Sequence, residues 1–226
     1  MGNAAVKEFK EATLSEASID EAKCISSTLV TSDTLLLLAK TKGLSKITKY
    51  ETKEGKLYAS AKSNMSGKKS TITDPDGNFI AFVKVKDGFS SSSTSIFRNI
   101  PSFEDQSPLP EKENEDGEAL YLFSTIETKK KIKSATSTYS IVIGEEEGEP
   151  VLEAIYTGKT LPSLGFYVEV KTNDDVLIGK ASTTGKFSAT GQVEMASGVD
   201  ILAVALVSQS VAPGGSAGAL AGAGVV

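Results

Sequence analysis

Two runs of lysine carry the clearest chemistry in this 226-residue chain: Lys129-Lys130-Lys131, with Lys133 beyond Ile132, and the shorter pair Lys68-Lys69. Clustered ammonium groups near a membrane surface are attracted to anionic headgroups by about 1 kcal/mol each, so both runs are headgroup candidates. The same lysines also suit solvated turns and strand edges, where they discourage edge-to-edge sheet pairing. Gly2 directly follows Met1 and precedes Asn3, Ala4 and Ala5, a pattern that fits N-myristoylation, although Val6 stands where Ser or Thr is usual. One acyl chain gives only marginal, reversible attachment, and the lysines would supply the second signal.

Other groups resolve into plainer readings. Asp74, Asp76 and Asn78 occupy the first, third and fifth positions of a calcium loop, but Phe79 and Val85 stand where that loop needs Gly and Glu. A hairpin turn is the expectation there, with no metal or other cofactor. The chain has no histidine, which removes the commonest general base and zinc ligand, and it contains no GxSxG, P-loop or GxGxxG motif. We therefore expect no enzyme. Cys24, the only cysteine, reads as a passive thiol; palmitoylation or redox sensitivity is the alternative.

A formal charge of -5 and a pI near 5.0 argue against nucleic acid as a partner, because such binding neutralises phosphates with massed Lys and Arg. A single cysteine and an opening without a secretory signal pattern lead to the expectation of a cytoplasmic protein, peripheral on the cytosolic membrane face in one reading.

Short apolar or alternating runs recur at 35–39, 47–51, 56–60, 69–73 and 79–85, with turn residues between them, as in consecutive hairpins. Asp74-Pro75-Asp76-Gly77-Asn78 supplies the sharpest turn. The serine-rich stretch 90–94 and the acidic, proline-containing stretch 101–118 interrupt the pattern, and the latter reads as an exposed loop. Strands resume at 119–126, 139–143, 151–156, 166–171, 176–180 and 186–194. Residues 199–212 are apolar on nearly every helical face and too short for a comfortable bilayer span, so burial inside the domain is expected. Gly214, Gly218 and Gly222 raise a C-terminal membrane helix as an alternative to a flexible Gly/Ala tail.

About a dozen short strands followed by an apolar terminal helix resemble the tubby C-terminal-like superfamily, particularly its LURP-one-related and phospholipid-scramblase-like branch. The features that carry the resemblance are 35–39, the Asp74-Pro75-Asp76-Gly77-Asn78 hairpin with 79–86, then 166–171, 178–180 and Gly198-Val199-Asp200-Ile201. It implies a β-rich (α+β) fold: a closed antiparallel β-barrel of about 12 strands around a buried apolar C-terminal helix. The expected organisation is an N-terminal arm (1–30), the barrel (31–212) with its acidic loop, and a flexible tail (213–226). Its implied function is non-catalytic lipid binding at a membrane, with phosphoinositides among the candidate lipids. The alternatives are a cytosolic protein-interaction module, whose partner would be another protein, and scramblase-like activity.

Overall fold

A computed structural model of the protein describes residues 2–16, 24–41, 47–66, 68–87, 91–101, 104–109, 119–129, 136–146, 149–161, 165–172, 175–183 and 190–200. An N-terminal helix, α1 (Gly2–Glu11), and a 3-10 turn (Ser27–Leu29) precede the strands β1 (Leu35–Thr41), β2 (Ile47–Glu51), β3 (Leu57–Ser63), β4 (Lys69–Thr73), β5 (Phe79–Asp87) and β6 (Ser91–Arg98). The remaining strands are β7 (Tyr121–Lys129), β8 (Thr136–Glu146), β9 (Glu149–Leu161), β10 (Gly165–Thr172), β11 (Leu177–Thr183) and β12 (Thr190–Met195).

Period-two alternation explains the strands. In β2, Thr48 and Tyr50 are buried while Ile47 and Lys49 are exposed, and in β4 Ser70 and Ile72 turn inward. Leu37, Tyr50, Ile72, Ala81, Val83, Val193 and Met195 are all almost fully buried on the core face. Each large apolar side chain so enclosed contributes roughly 1.5–3 kcal/mol.

Strands adjacent in sequence pair antiparallel throughout, in the hydrogen-bonded order β1-β12-β11-β10-β9-β8-β7-β6-β5-β4-β3-β2. β1 pairs with both β2 and β12, Leu37 lying opposite Val193.

This description corrects the expected α+β barrel organised around a C-terminal helix. The described residues form one antiparallel sheet with almost no helix. Their only α-helix is the N-terminal α1, which lies against the face opposite buried Val193 and Met195. The segment expected to fill the centre, from residue 201 onward, lies outside the described residues, as do the tail 213–226 and residues 111–118 of the acidic stretch. A second correction concerns the serine-rich stretch 90–94, which reads as an interruption but whose residues 91–94 open β6. Its serines supply little apolar signal, yet β5 and β7 pair with it along both sides, and Thr94 and Ile96 are buried. Tertiary pairing here overrides local composition.

Residues ahead of β1 are anchored rather than loose. The carboxylate of Asp200, itself 1% exposed, accepts hydrogen bonds from the backbone N–H of Ile25 at 2.6 Å and of Ser26 at 3.2 Å. Val30 bridges Asp200, and Gly198 N–H donates to Thr31 O at 2.7 Å. Farther upstream, Lys180 Nζ donates to Ala12 O at 2.7 Å, and Ser15 N–H to Leu177 O at 2.9 Å.

Consecutive antiparallel strands send alternate connections to opposite ends of the sheet. The strand termini Thr41, Ile47, Ser63, Lys69, Asp87, Ser91, Lys129, Thr136, Leu161, Gly165, Thr183 and Thr190 fall at one end; Glu51, Leu57, Thr73, Phe79, Arg98, Tyr121, Glu146, Glu149, Thr172 and Leu177 fall at the other.

Candidate functional site

The two ends differ sharply in charge. Toward the first, Lys49, Lys62, Lys69, Lys84 and Lys86 occupy outward positions of β2 to β5, alternating with buried Thr48, Ala61, Ser70, Val83 and Val85. Lys68 stands beside them in the β3–β4 turn. Register places Lys69 directly opposite Lys84, and Lys62 opposite Ile47. Like charges directly opposed across strands concentrate positive charge on this face of the sheet. Asp87 and Glu127 are the acidic residues nearest this end in β5 and β7.

The opposite end carries Glu51, Glu54, Asp74, Asp76, Glu146, Glu149 and Asp175 at or beside its turns, outnumbering Lys53, Lys56 and the Asp175-paired Lys171 there. A net charge of -5 therefore conceals a molecule with one basic and one acidic end. Charge separated in this way orients a protein in an external field and concentrates oppositely charged partners at one surface.

The β3–β4 turn has a built geometry. Asn64 Oδ1 accepts hydrogen bonds from Lys68 N–H at 3.0 Å, Lys69 N–H at 3.2 Å and the Ser66 hydroxyl at 3.1 Å, while Asn64 N–H donates to Lys69 O at 2.9 Å. Asn is suited to this because its short amide substitutes for a backbone acceptor. The turn so fixed carries Met65 at its tip, 90% exposed. Ile47, 39% exposed, is a second apolar group in the same lysine field.

Of the lysines singled out from sequence, Lys68 and Lys69 belong to this cluster. Lys129 is the last residue of β7, pairs with Ser91, and so lies at the same end of the sheet. Lys130, Lys131 and Lys133 lie outside the described residues. Gly2 is the first residue of α1, which meets the sheet through Phe9 beside Lys180, while Ala12 and Ser15 just beyond the helix bond to Lys180 and Leu177.

Sequence reasoning passed over Lys49, Lys62, Lys84, Lys86 and Met65, because each is an isolated residue in its own strand or turn. The usable signal was positional. In an up-and-down antiparallel chain, charges on every second connection share an end, and reading alternate hairpins together would have shown the polarity.

The suspected calcium positions form a turn instead. Asp74 Oδ1 accepts from Asp76 N–H at 2.9 Å and Asn78 N–H at 2.8 Å, and Asp74 Oδ2 accepts from Asn78 Nδ2 at 2.8 Å. Gly77, with φ of +89°, takes the left-handed position that this turn requires. Among the described residues, no group of three or more Cys, Asp or Glu side chains is arranged to hold a metal.

A second feature lies under α1, a cavity of about 270 Å³ whose lining includes Phe9, Leu36, Lys180, Ser182, Gln192 and Glu194. Lys180 Nζ lies 3.3 Å from Glu194 Oε2 and 5.7 Å from the Phe9 ring centroid. These contacts hold α1 to the sheet and engage the one buried amine there.

Fold and site together define a single antiparallel sheet protein with a lysine-rich end. A crystal structure of an Arabidopsis thaliana protein, AT5G01750, is similar to it in fold, with a TM-score of 0.51 and 13% sequence identity over 81% of this chain and 93% of that one. No protein-family model matches the chain, and no curated protein matches it. No helix among the described residues is long and apolar enough to cross a membrane.

Proposed function

We propose that the protein is a non-catalytic, tubby-like, LURP-one-related module that binds anionic membrane lipids peripherally from the cytoplasmic side. The observation that carries this reading is the convergence of Lys62, Lys68, Lys69, Lys84 and Lys86 at one end of an otherwise acidic protein. Several ammonium groups, each attracted by about 1 kcal/mol near an anionic surface, are enough to orient and hold a peripheral protein. The acidic end is repelled by the same surface, which favours one orientation. Gly2 acylation would add a second, independent attachment. Likeness to the Arabidopsis protein supports a shared fold, and the family reading rests on the sequence resemblance.

Vesicle co-sedimentation tests the reading. Wild-type protein is compared with a Lys62/Lys69/Lys84/Lys86→Ala variant on neutral phosphatidylcholine and on mixed phosphatidylserine vesicles, with and without co-expressed N-myristoyltransferase and with Gly2→Ala. The expected result is binding to anionic vesicles that weakens with added salt and is lost in the lysine variant. Equal sedimentation with neutral vesicles, or none with either, would overturn it.

A further inference from the structure

We infer that the lysine-rich end docks on the anionic bilayer by inserting Met65 below the headgroups, as an apolar tip ringed by lysines. This rests on the membrane reading above and deepens it, since charge attraction alone would need no apolar residue at the surface.

Turn tips facing water are ordinarily built from small and polar residues, each with a backbone reason to be there. The two short described turns at the acidic end follow that rule, Lys53-Glu54-Gly55 and Asp74-Pro75-Asp76-Gly77-Asn78 holding no large apolar residue, while Ile100, 61% exposed, lies just beyond β6 at that end. Met65 breaks it, at 90% exposure in a turn whose Asn64 cap already satisfies the backbone, so packing does not require methionine there. Lys62 and Lys68 flank it and are exposed. A long flexible thioether among ammonium groups matches an interface in which the tip meets acyl chains while the lysines remain at headgroup depth.

Charge complementarity between an anionic bilayer and the exposed lysines around Met65, with Ile47 a second partly exposed apolar group among them, points to that bilayer as the one occupant.

The chain contains no tryptophan, so Met65→Trp introduces a sole reporter. Its emission should shift to the blue on phosphatidylserine-containing vesicles and be quenched by lipids brominated on the acyl chains. Met65→Ser, which leaves every lysine in place, should weaken vesicle binding by about tenfold, the effect of losing one partly buried methionine. If wild-type protein and Met65→Ser bind anionic vesicles equally and the Trp emission is unmoved, insertion is overturned while electrostatic membrane binding stands. If wild-type protein does not bind at all, both fall.

Discussion

The guanidinium of Arg98 and the carbonyl oxygen of Cys24 are 74 residues apart in sequence and 2.6 Å apart in space. The same guanidinium reaches Ile100 O at 3.0 Å and Pro101 O at 3.3 Å, and its carbon lies 4.8 Å from the Phe123 ring centroid. Burial lowers its proton affinity, while the neighbouring Cys24 and Asp200 act in the opposite sense. Arginine remains charged in proteins regardless, and its planar fork fits several acceptors at once.

Removing that fork should cost stability, because three carbonyls lose a charged donor inside the protein. Arg98→Met is expected to lower unfolding free energy by about 2–4 kcal/mol, and Arg98→Lys to recover little of it, a point charge being unable to span the same acceptors. Urea denaturation reads both. Asp200→Ala releases the same segment from its other side, so a double variant should lose less than the sum of the two single losses.

Lys180 is the pin for α1. Lys180→Met removes the bonds to Ala12 O and Glu194 while keeping most of the side-chain volume. Amides of α1 should then exchange with solvent faster and the arm should become sensitive to limited proteolysis, while protection in β2 to β5 stays as in wild type. Unchanged exchange in α1 would assign its anchoring to apolar packing alone.

Tyr50 is 1% exposed, and its hydroxyl has no hydrogen-bond partner among the described residues. Burial pushes its ionisation well above the ordinary phenol range. An unmade bond of this kind destabilises, so Tyr50→Phe should leave stability unchanged or raise it by about 1 kcal/mol in thermal or urea unfolding. A clear loss would reveal a partner for the hydroxyl.

Acid sensitivity should appear at the β4–β5 turn. The Asp74 carboxyl is held below its usual range, first by the Asn78 side chain and then by backbone N–H groups of Asn78, Asp76 and Gly77. A folded-state value below the unfolded one stabilises the protein above the unfolded value, and that contribution disappears as pH falls through the folded one. Asp74→Asn should therefore show a shallower loss of urea midpoint below about pH 4 than wild type. Parallel pH profiles would place the acid-sensitive group elsewhere.

Strand positions were largely legible. The alternation of Thr48 and Tyr50 with Ile47 and Lys49, and the turn chemistry of Asp74 to Asn78, gave β2 and the β4–β5 hairpin directly. β6 was hidden because Ser91, Ser92 and Ser93 carry no periodic signal; its partners on either side stabilise it. The site was half legible. Adjacent lysines such as Lys68 and Lys69 stand out in a linear reading, but Lys69 facing Lys84 is a fact of register, visible only once the strands are paired. Arg98 and Asp200 gave no warning at all, since their roles depend on the arm residues they grip.

The ladder between β1 and β12 sets a timetable for folding. Leu35 pairs with Met195 and Lys40 with Thr190, so β1 finds one of its two partners in the strand farthest from it in sequence. At roughly 5–20 residues per second, the run from Leu35 to Leu38 waits on the order of ten seconds for that partner. Hairpins between successive strands can form meanwhile, whereas this terminal zipper must bring distant parts of the chain together and bears the largest loop-closure cost. The nascent protein thus carries an apolar strand with one edge unpaired until β12 has been made.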